Sequence, residues 1–184
     1  YIGMGLRWML TGNTGDYDED MTAVFFNDLW EWNQATDAWT RKADFPGQGR
    51  YGAAAFAIGN SGYIGTGVTS NASSADFWEY DQSSDTWTRK ADFAGTARAH
   101  AIGFSMGNKG YIGAGNSFIG PESGAREFWE YDPVIDQWNL FGTTAESVVP
   151  WSGGSVGNSG YFITEPLFSD EPVALWILPM TSEK

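Results

Sequence analysis

The chain has 184 residues, with 23 Asp and Glu against 10 Lys and Arg for a formal charge of −13, no cysteine and one histidine. Such an excess of negative charge repels a polyanion, which argues against nucleic acid as a partner. The lack of cysteine excludes disulfides, thiolate metal sites and a cysteine nucleophile, and a lone histidine leaves little for histidine-based metal clusters.

Glycine is abundant (24 residues) beside 10 Trp, 8 Tyr and 12 Phe. Glycine weakens helices and aromatic residues favour strands, so the composition points to an all-β repeat. No run of apolar residues reaches the roughly 18 that a membrane span needs.

In chain order, Tyr1-Ile2-Gly3-Met4-Gly5 opens a motif that returns as Tyr63-Ile64-Gly65-Thr66-Gly67 and Tyr111-Ile112-Gly113-Ala114-Gly115. A variable segment over 10–27 follows, read as a loop. Asp28-Leu29-Trp30-Glu31-Trp32 then recurs as Asp76-Phe77-Trp78-Glu79-Tyr80 and Glu127-Phe128-Trp129-Glu130-Tyr131. Nine residues after each first tryptophan stands a second: Trp39, Trp87 and Trp138. Thr-Arg-Lys-Ala-Asp-Phe begins at both Thr40 and Thr88. The period is near 48 residues, and each unit resolves into four strands, A to D.

Strand A is small and apolar (Ala53 to Ile58; Ala101 to Met106), and a Gly-Asn-x-Gly turn links it to strand B, the Tyr-Ile-Gly segment. Asn and Gly supply the positive φ that tight hairpins need. Strand C carries the first tryptophan and strand D the second. Between them Asp37, Asp85 or Asp136 is expected to fix the turn by accepting bonds from its own backbone. The fourth unit keeps Tyr161-Phe162-Ile163 as strand B and offers Leu175-Trp176-Ile177-Leu178 as strand C, but no second tryptophan follows.

Four antiparallel strands per unit, repeated at this period, fit propeller blades. The pattern resembles the kelch repeat, in the glycine- and tryptophan-rich version found in bacterial proteins, with Gly-x-Gly where the kelch pattern usually has adjacent glycines. The fold class expected is all-β, a kelch-type β-propeller of about three and a half four-stranded blades. The units fall at about 1–46 (incomplete), 47–94, 95–145 and 146–184 (incomplete). The family closes with six or seven blades, roughly 290 to 340 residues at this period. The chain is therefore expected to be part of a larger propeller; a small ring with irregular closure and association of two chains through their open ends are the alternatives. An open end exposes strand edges and an apolar blade face, which invites self-association.

In a four-stranded meander the variable segments all fall on one rim, formed by the B–C and D–A connections. Function tends to sit on such loops, held by a rigid frame. Arg50 and Arg98 occupy equivalent D–A positions, with Tyr51 beside the first. The resemblance implies that this position lines a central pocket, near the axis, that contacts acidic or sugar ligands; the alternative is an arginine that bonds carbonyls of the neighbouring blade. His100 is expected to be a buried, hydrogen-bonded residue with ligand binding as its other role. Trp151 replaces the arginine in the fourth unit, either as a plug between blades or as a stacking platform. The periodic tryptophans Trp30, Trp78 and Trp129 are expected at equivalent places and mostly buried. Asp16, Asp18 and Asp20 form an alternating acidic run, yet Met21 and Asn27 stand where a calcium loop needs Gly and Glu, so a solvated loop is expected.

No cluster forms a recognisable catalytic set, so a non-catalytic interaction module binding protein or polysaccharide is expected, with no cofactor. The alternatives are part of a sugar-acting kelch enzyme similar to sialic acid mutarotases, and a structural or adhesive segment of a surface protein. The copper-dependent sugar oxidases of the family need a cysteine-linked tyrosine and histidine ligands, which this segment lacks. From acidic charge, absence of cysteine and the bacterial kelch likeness, a location outside the cytoplasm, in the periplasm or at the cell surface, is expected.

Overall fold

A computed structural model describes residues 2–3, 6–10, 21–116, 125–144, 150–157, 159–164 and 174–179, with side chains over 25–116, 125–144, 153–157 and 159–163. The described residues form strands, turns and connections only, in five antiparallel sheets. The first blade holds β1 (Ile2–Gly3), β4 (Leu29–Asn33) and β5 (Ala38–Arg41). The second is β6 (Ala54–Ile58), β7 (Ser61–Gly65), β8 (Phe77–Asp81) and β9 (Thr86–Lys90). The third is β10 (Ile102–Met106), β11 (Lys109–Gly113), β12 (Glu127–Asp132) and β13 (Gln137–Thr143). The fourth holds β14 (Pro150–Val156), β15 (Ser159–Thr164) and β16 (Ala174–Pro179).

Every strand pairs with the next in its sheet, and the registers repeat. Ile2, Ile64 and Ile112 lie opposite Trp30, Trp78 and Trp129. The A–B turns work as the sequence suggests, with Gly59, Gly107 and Gly157 at φ of 58°, 58° and 59°.

One segment departs from the expected loop. Residues 6–10 and 21–25 pair as two further antiparallel strands, β2 (Leu6–Leu10) and β3 (Met21–Phe25), with Leu6 opposite Phe25 and Leu10 opposite Met21. Two apolar runs, Leu-Arg-Trp-Met-Leu and Met-Thr-Ala-Val-Phe, have strand composition. They were missed because they lie outside the repeat. Asp16, Asp18 and Asp20 lie outside the described residues.

The blades pack through their A strands, β6 against β10 and β10 against β14. The core between the second and third blades gathers Phe56, Tyr63, Phe77, Phe93, Ile112 and Tyr131. The next cluster joins Phe104, Tyr111 and Phe128 to Phe162 of the fourth blade. Each such ring, fully buried, contributes about 1.5–3 kcal/mol.

The first tryptophans are equivalent in register but are not the buried residues of strand C. Phe77 and Phe128 are fully buried, whereas Trp78 and Trp129 are half-buried and Trp30 is 36% exposed. The indoles reach past the sheet towards the D–A segment of the blade before: Phe45 meets Trp78 edge-on at 5.6 Å and Trp87 at 5.2 Å. Phe93 repeats this on Trp129 and Trp138.

The C–D aspartates also act differently from expectation. Asp37, Asp85 and Asp136 have φ of 50°, 54° and 53°, and among the described residues their carboxylates accept side-chain donors from strand C, Trp32, Tyr80 and Tyr131. Asp85 accepts the Tyr80 hydroxyl at 2.7 Å and the Ala43 N–H of the preceding blade at 2.9 Å. Asp136 accepts Tyr131 at 2.7 Å and Ala91 N–H at 3.0 Å. The second tryptophans complete the clamp, Trp87 donating to Ala43 O at 2.9 Å and Trp138 to Ala91 O at 3.1 Å. The repeated Lys-Ala-Asp-Phe segment is thus gripped by the next blade's Asp and Trp.

Candidate functional site

The D–A segments carry the sequence-predicted residues. Arg50 and Arg98 are each 1% exposed and occupy matching environments. The Arg50 guanidinium donates to Gln48 O at 3.2 Å and Thr66 O at 2.9 Å, and forms a forked pair with Asp76, with Nη2 to Oδ2 at 2.8 Å. It also stacks over the Phe45 ring, 4.7 Å from the centroid. Arg98 repeats the arrangement on Thr96 O, Ala114 O and Glu127 Oε2, at 2.9, 3.1 and 3.1 Å, over Phe93 at 5.1 Å.

Each guanidinium therefore ties the A, B and C strands of its own blade, and not a neighbouring blade's carbonyls. Burial pushes the Arg98 pKa down, and Glu127 acts against that. Burial alone would raise the Asp76 carboxyl, but hydrogen bonds from Arg50, Ser74 and Trp78 outweigh it and hold the pKa at about 2. A buried ion pair of this kind orients strand ends and leaves few donors for a ligand.

Tyr51 and His100 are brought together, one from each D–A segment. Their rings lie 5.8 Å apart at 59°, and Phe25 joins the row through Tyr51, at 6.1 Å and 32°. His100 corrects the expectation of a buried histidine. It is exposed, with φ of 54°, and its imidazole makes no hydrogen bond among the described residues. Only its backbone is anchored, His100 N–H donating to Gly52 O at 2.8 Å. The repeat gives the reason. Gly52 at φ 63° holds the same position one unit earlier, and a Cβ there would come within 3.2 Å of His100. The left-handed backbone turns the imidazole outward, over the glycine.

The row lies on the rim of the B–C and D–A connections: Tyr51 and His100 come from D–A segments and Phe25 from the inserted strand pair. Phe26 beside it is 36% exposed. Tyr51 pairs with Val68 and Val68 with Ser73, folding the B–C loop of the second blade against the row. Trp151 sits on β14 where the register slips between Pro150 and Ser152; its side chain lies outside the described residues. Among the described residues no three histidine or carboxylate groups converge to hold a metal ion, and no helix is long and apolar enough to cross a membrane.

Asp76, Glu127 and Phe25 were missed from the sequence. The two carboxylates were legible, since both stand two residues before the first tryptophan of their unit. Phe25 gave no signal, because it belongs to the insertion.

No family model matches the chain, and no curated protein matches it in sequence. Among solved structures, that of YjhT is similar, with a TM-score of 0.66 at 19% identity, over 74% of this chain and 52% of YjhT. The fold is a kelch-type β-propeller fold. The chain spans about half the length of YjhT.

Proposed function

We propose that the chain is a non-catalytic binding module that takes a polysaccharide on its B–C/D–A face. The observation that supports this reading is the row Phe25–Tyr51–His100, half-buried at Phe25 and Tyr51 and exposed at His100, built from three separate segments. Neighbouring aromatic rings about 6 Å apart, tilted by 32° and 59°, offer apolar surface to a sugar ring, and the imidazole edge offers a donor and an acceptor for hydroxyls. Arg50 and Arg98 act beneath this face as supports for it, being already engaged with Asp76 and Glu127.

A second reading has one observation in its favour. The exposed imidazole of His100, its ring centroid 5.8 Å from that of Tyr51, is an acid–base group of the kind a sugar-acting kelch enzyme similar to the mutarotases would use. Calorimetric titration with a panel of neutral and acidic oligosaccharides separates the two. Binding without turnover, weakened tenfold or more in Tyr51→Ala and His100→Ala at unchanged melting temperature, is expected. Binding indifferent to both substitutions would overturn the site, and interconversion of a sugar's anomers followed by NMR would favour the enzyme.

A further inference from the structure

The outermost strands of the blades are not alike. In the first and second blades strand D runs into a basic pair, Arg41-Lys42 and Arg89-Lys90. The arginines form exposed pairs with Asp44 and Asp92. The lysines pair with the strand C glutamates, Lys42 with Glu31 and Lys90 with Glu79, both at 3.4 Å. Charge of this kind keeps an open strand edge from recruiting another chain. In the third blade Leu140 and Phe141 replace the basic pair and Thr143 replaces the aspartate, so β13 carries no charged residue over Gln137–Thr143.

β13 ends its sheet, and among the described residues no strand lies beyond it. The register slips between Phe128 and Trp129 and leaves Phe141 without a partner, so the regular edge is residues 137–140. Leu140 is exposed on that edge. At its start the C–D turn holds Val134 and Ile135, both exposed, where the other blades have Ala35-Thr36 and Ser83-Ser84. Glu130 on β12 is the counterpart of Glu31 and Glu79. It accepts the Tyr111 hydroxyl at 2.7 Å but has no cationic partner among the described residues, and Lys109 of the same blade pairs with Asp132 instead. Alternation then gives an added strand its pattern. Leu140 lies opposite Trp129 on one face of the sheet, and Asn139 lies opposite Glu130 on the other. An added strand sets one side chain beside Leu140 and the next beside Asn139. A lysine at the second place reaches over the short Asn139 towards Glu130, in the role that Lys42 and Lys90 play within their own blades. The formal charge of −13 attracts a basic strand and repels a second copy of the chain.

We propose that the outer edge of β13 is a docking site for an extended segment of a partner protein in which apolar and basic residues alternate. The segment pairs through main-chain hydrogen bonds along residues 137–140, packs an apolar side chain on Leu140 and sets an ammonium group on Glu130. This site is separate from the B–C/D–A face and does not depend on how that face is read.

The test uses a fluorescent peptide of alternating valine and lysine, titrated into the chain by anisotropy, beside a peptide of the same length and composition with the two residues in separate blocks. The alternating peptide is expected to bind roughly tenfold tighter than the block peptide. Leu140→Arg restores the residue of the first two blades at an exposed position; it should keep the melting temperature and weaken binding roughly tenfold or more. Glu130→Gln, which still accepts the Tyr111 hydroxyl, should weaken it roughly threefold to tenfold. Hydrogen exchange at the amides of residues 137–140 should slow when the peptide binds. No binding, no preference between the two peptides, or equal binding by the native chain, Leu140→Arg and Glu130→Gln overturns the proposal. So does light scattering that shows a dimer which Leu140→Arg dissociates, since a second copy would then be the occupant.

Discussion

Gly110→Ala and Gly62→Ala make the same chemical change at the same repeat position, and their difference measures the contact between the Phe56 ring and Gly110. The methyl group at 110 would lie 2.0 Å from Phe56 Cε2 and 2.1 Å from Cζ, well inside contact distance. The ring cannot yield freely, since Phe56 stacks on Tyr63 at 5.3 Å and touches Phe77 at 5.8 Å. Overpacking of this kind costs about 1–3 kcal/mol, and a ring driven out to solvent would forfeit about 1.5–3 kcal/mol of burial instead. At 62 the methyl group meets nothing closer than 3.9 Å. There the loss of glycine's freedom in the unfolded chain stabilises by about 0.4–1 kcal/mol. That gain is common to both variants, so they should differ by the overpacking cost alone, about 1–3 kcal/mol. For a chain of this size about 1 kcal/mol moves the melting temperature by roughly 2–4 °C, so thermal unfolding followed by tryptophan fluorescence resolves the difference. Equal melting temperatures for the two variants would refute the packing argument.

Further outcomes follow from the ion pairs, the tyrosines and the clamps. The Asp76 pKa is depressed to about 2 from 3.8, so its contribution is present above pH 4 and is lost as pH falls towards 2; Asp76→Asn should flatten that part of an acid-unfolding curve. The Tyr63 hydroxyl is pushed up to about 12 by burial and by Glu79, so the stability it confers holds below pH 10 and is lost as pH rises through 12. Spectrophotometric titration should show Tyr63, Tyr111 and Tyr131 ionising late, together with loss of fold, and early ionisation of all three would contradict the burial. Trp138→Phe removes the bond to Ala91 O and should cost about 1 kcal/mol in urea unfolding. Trp39→Phe should cost much less, because Trp39 is 49% exposed.

The sequence disclosed the blades because each strand carries its own copy of a motif, and three copies expose any departure. It misread features whose meaning depends on two units at once. The C–D aspartate suits a local turn, yet Asp85 and Asp136 bond Ala43 and Ala91 some forty residues earlier, which only packed blades bring near. His100 looks like a core histidine by position, but its left-handed backbone reverses its direction, and nothing in the residue type announces a positive φ. The strand pair β2–β3 was hidden for the opposite reason: it has no second copy to be compared with. At the candidate site Tyr51 and His100 were visible by their offset from the repeated arginines, and Phe25 was not.

The junction between blades is written in a small alphabet: an aspartate and a tryptophan in one unit, an alanine backbone and a phenylalanine in the one before, and a ring over a glycine. The aspartate and tryptophan bonds join the first blade to the second and the second to the third, and the ring over a glycine joins the second to the third and the third to the fourth. A copy of residues 47–94 inserted in tandem would meet both neighbours with the complementary half of each joint. Growth by duplication therefore needs no new surface to be invented, and ring size can drift by whole units while every seam stays the same.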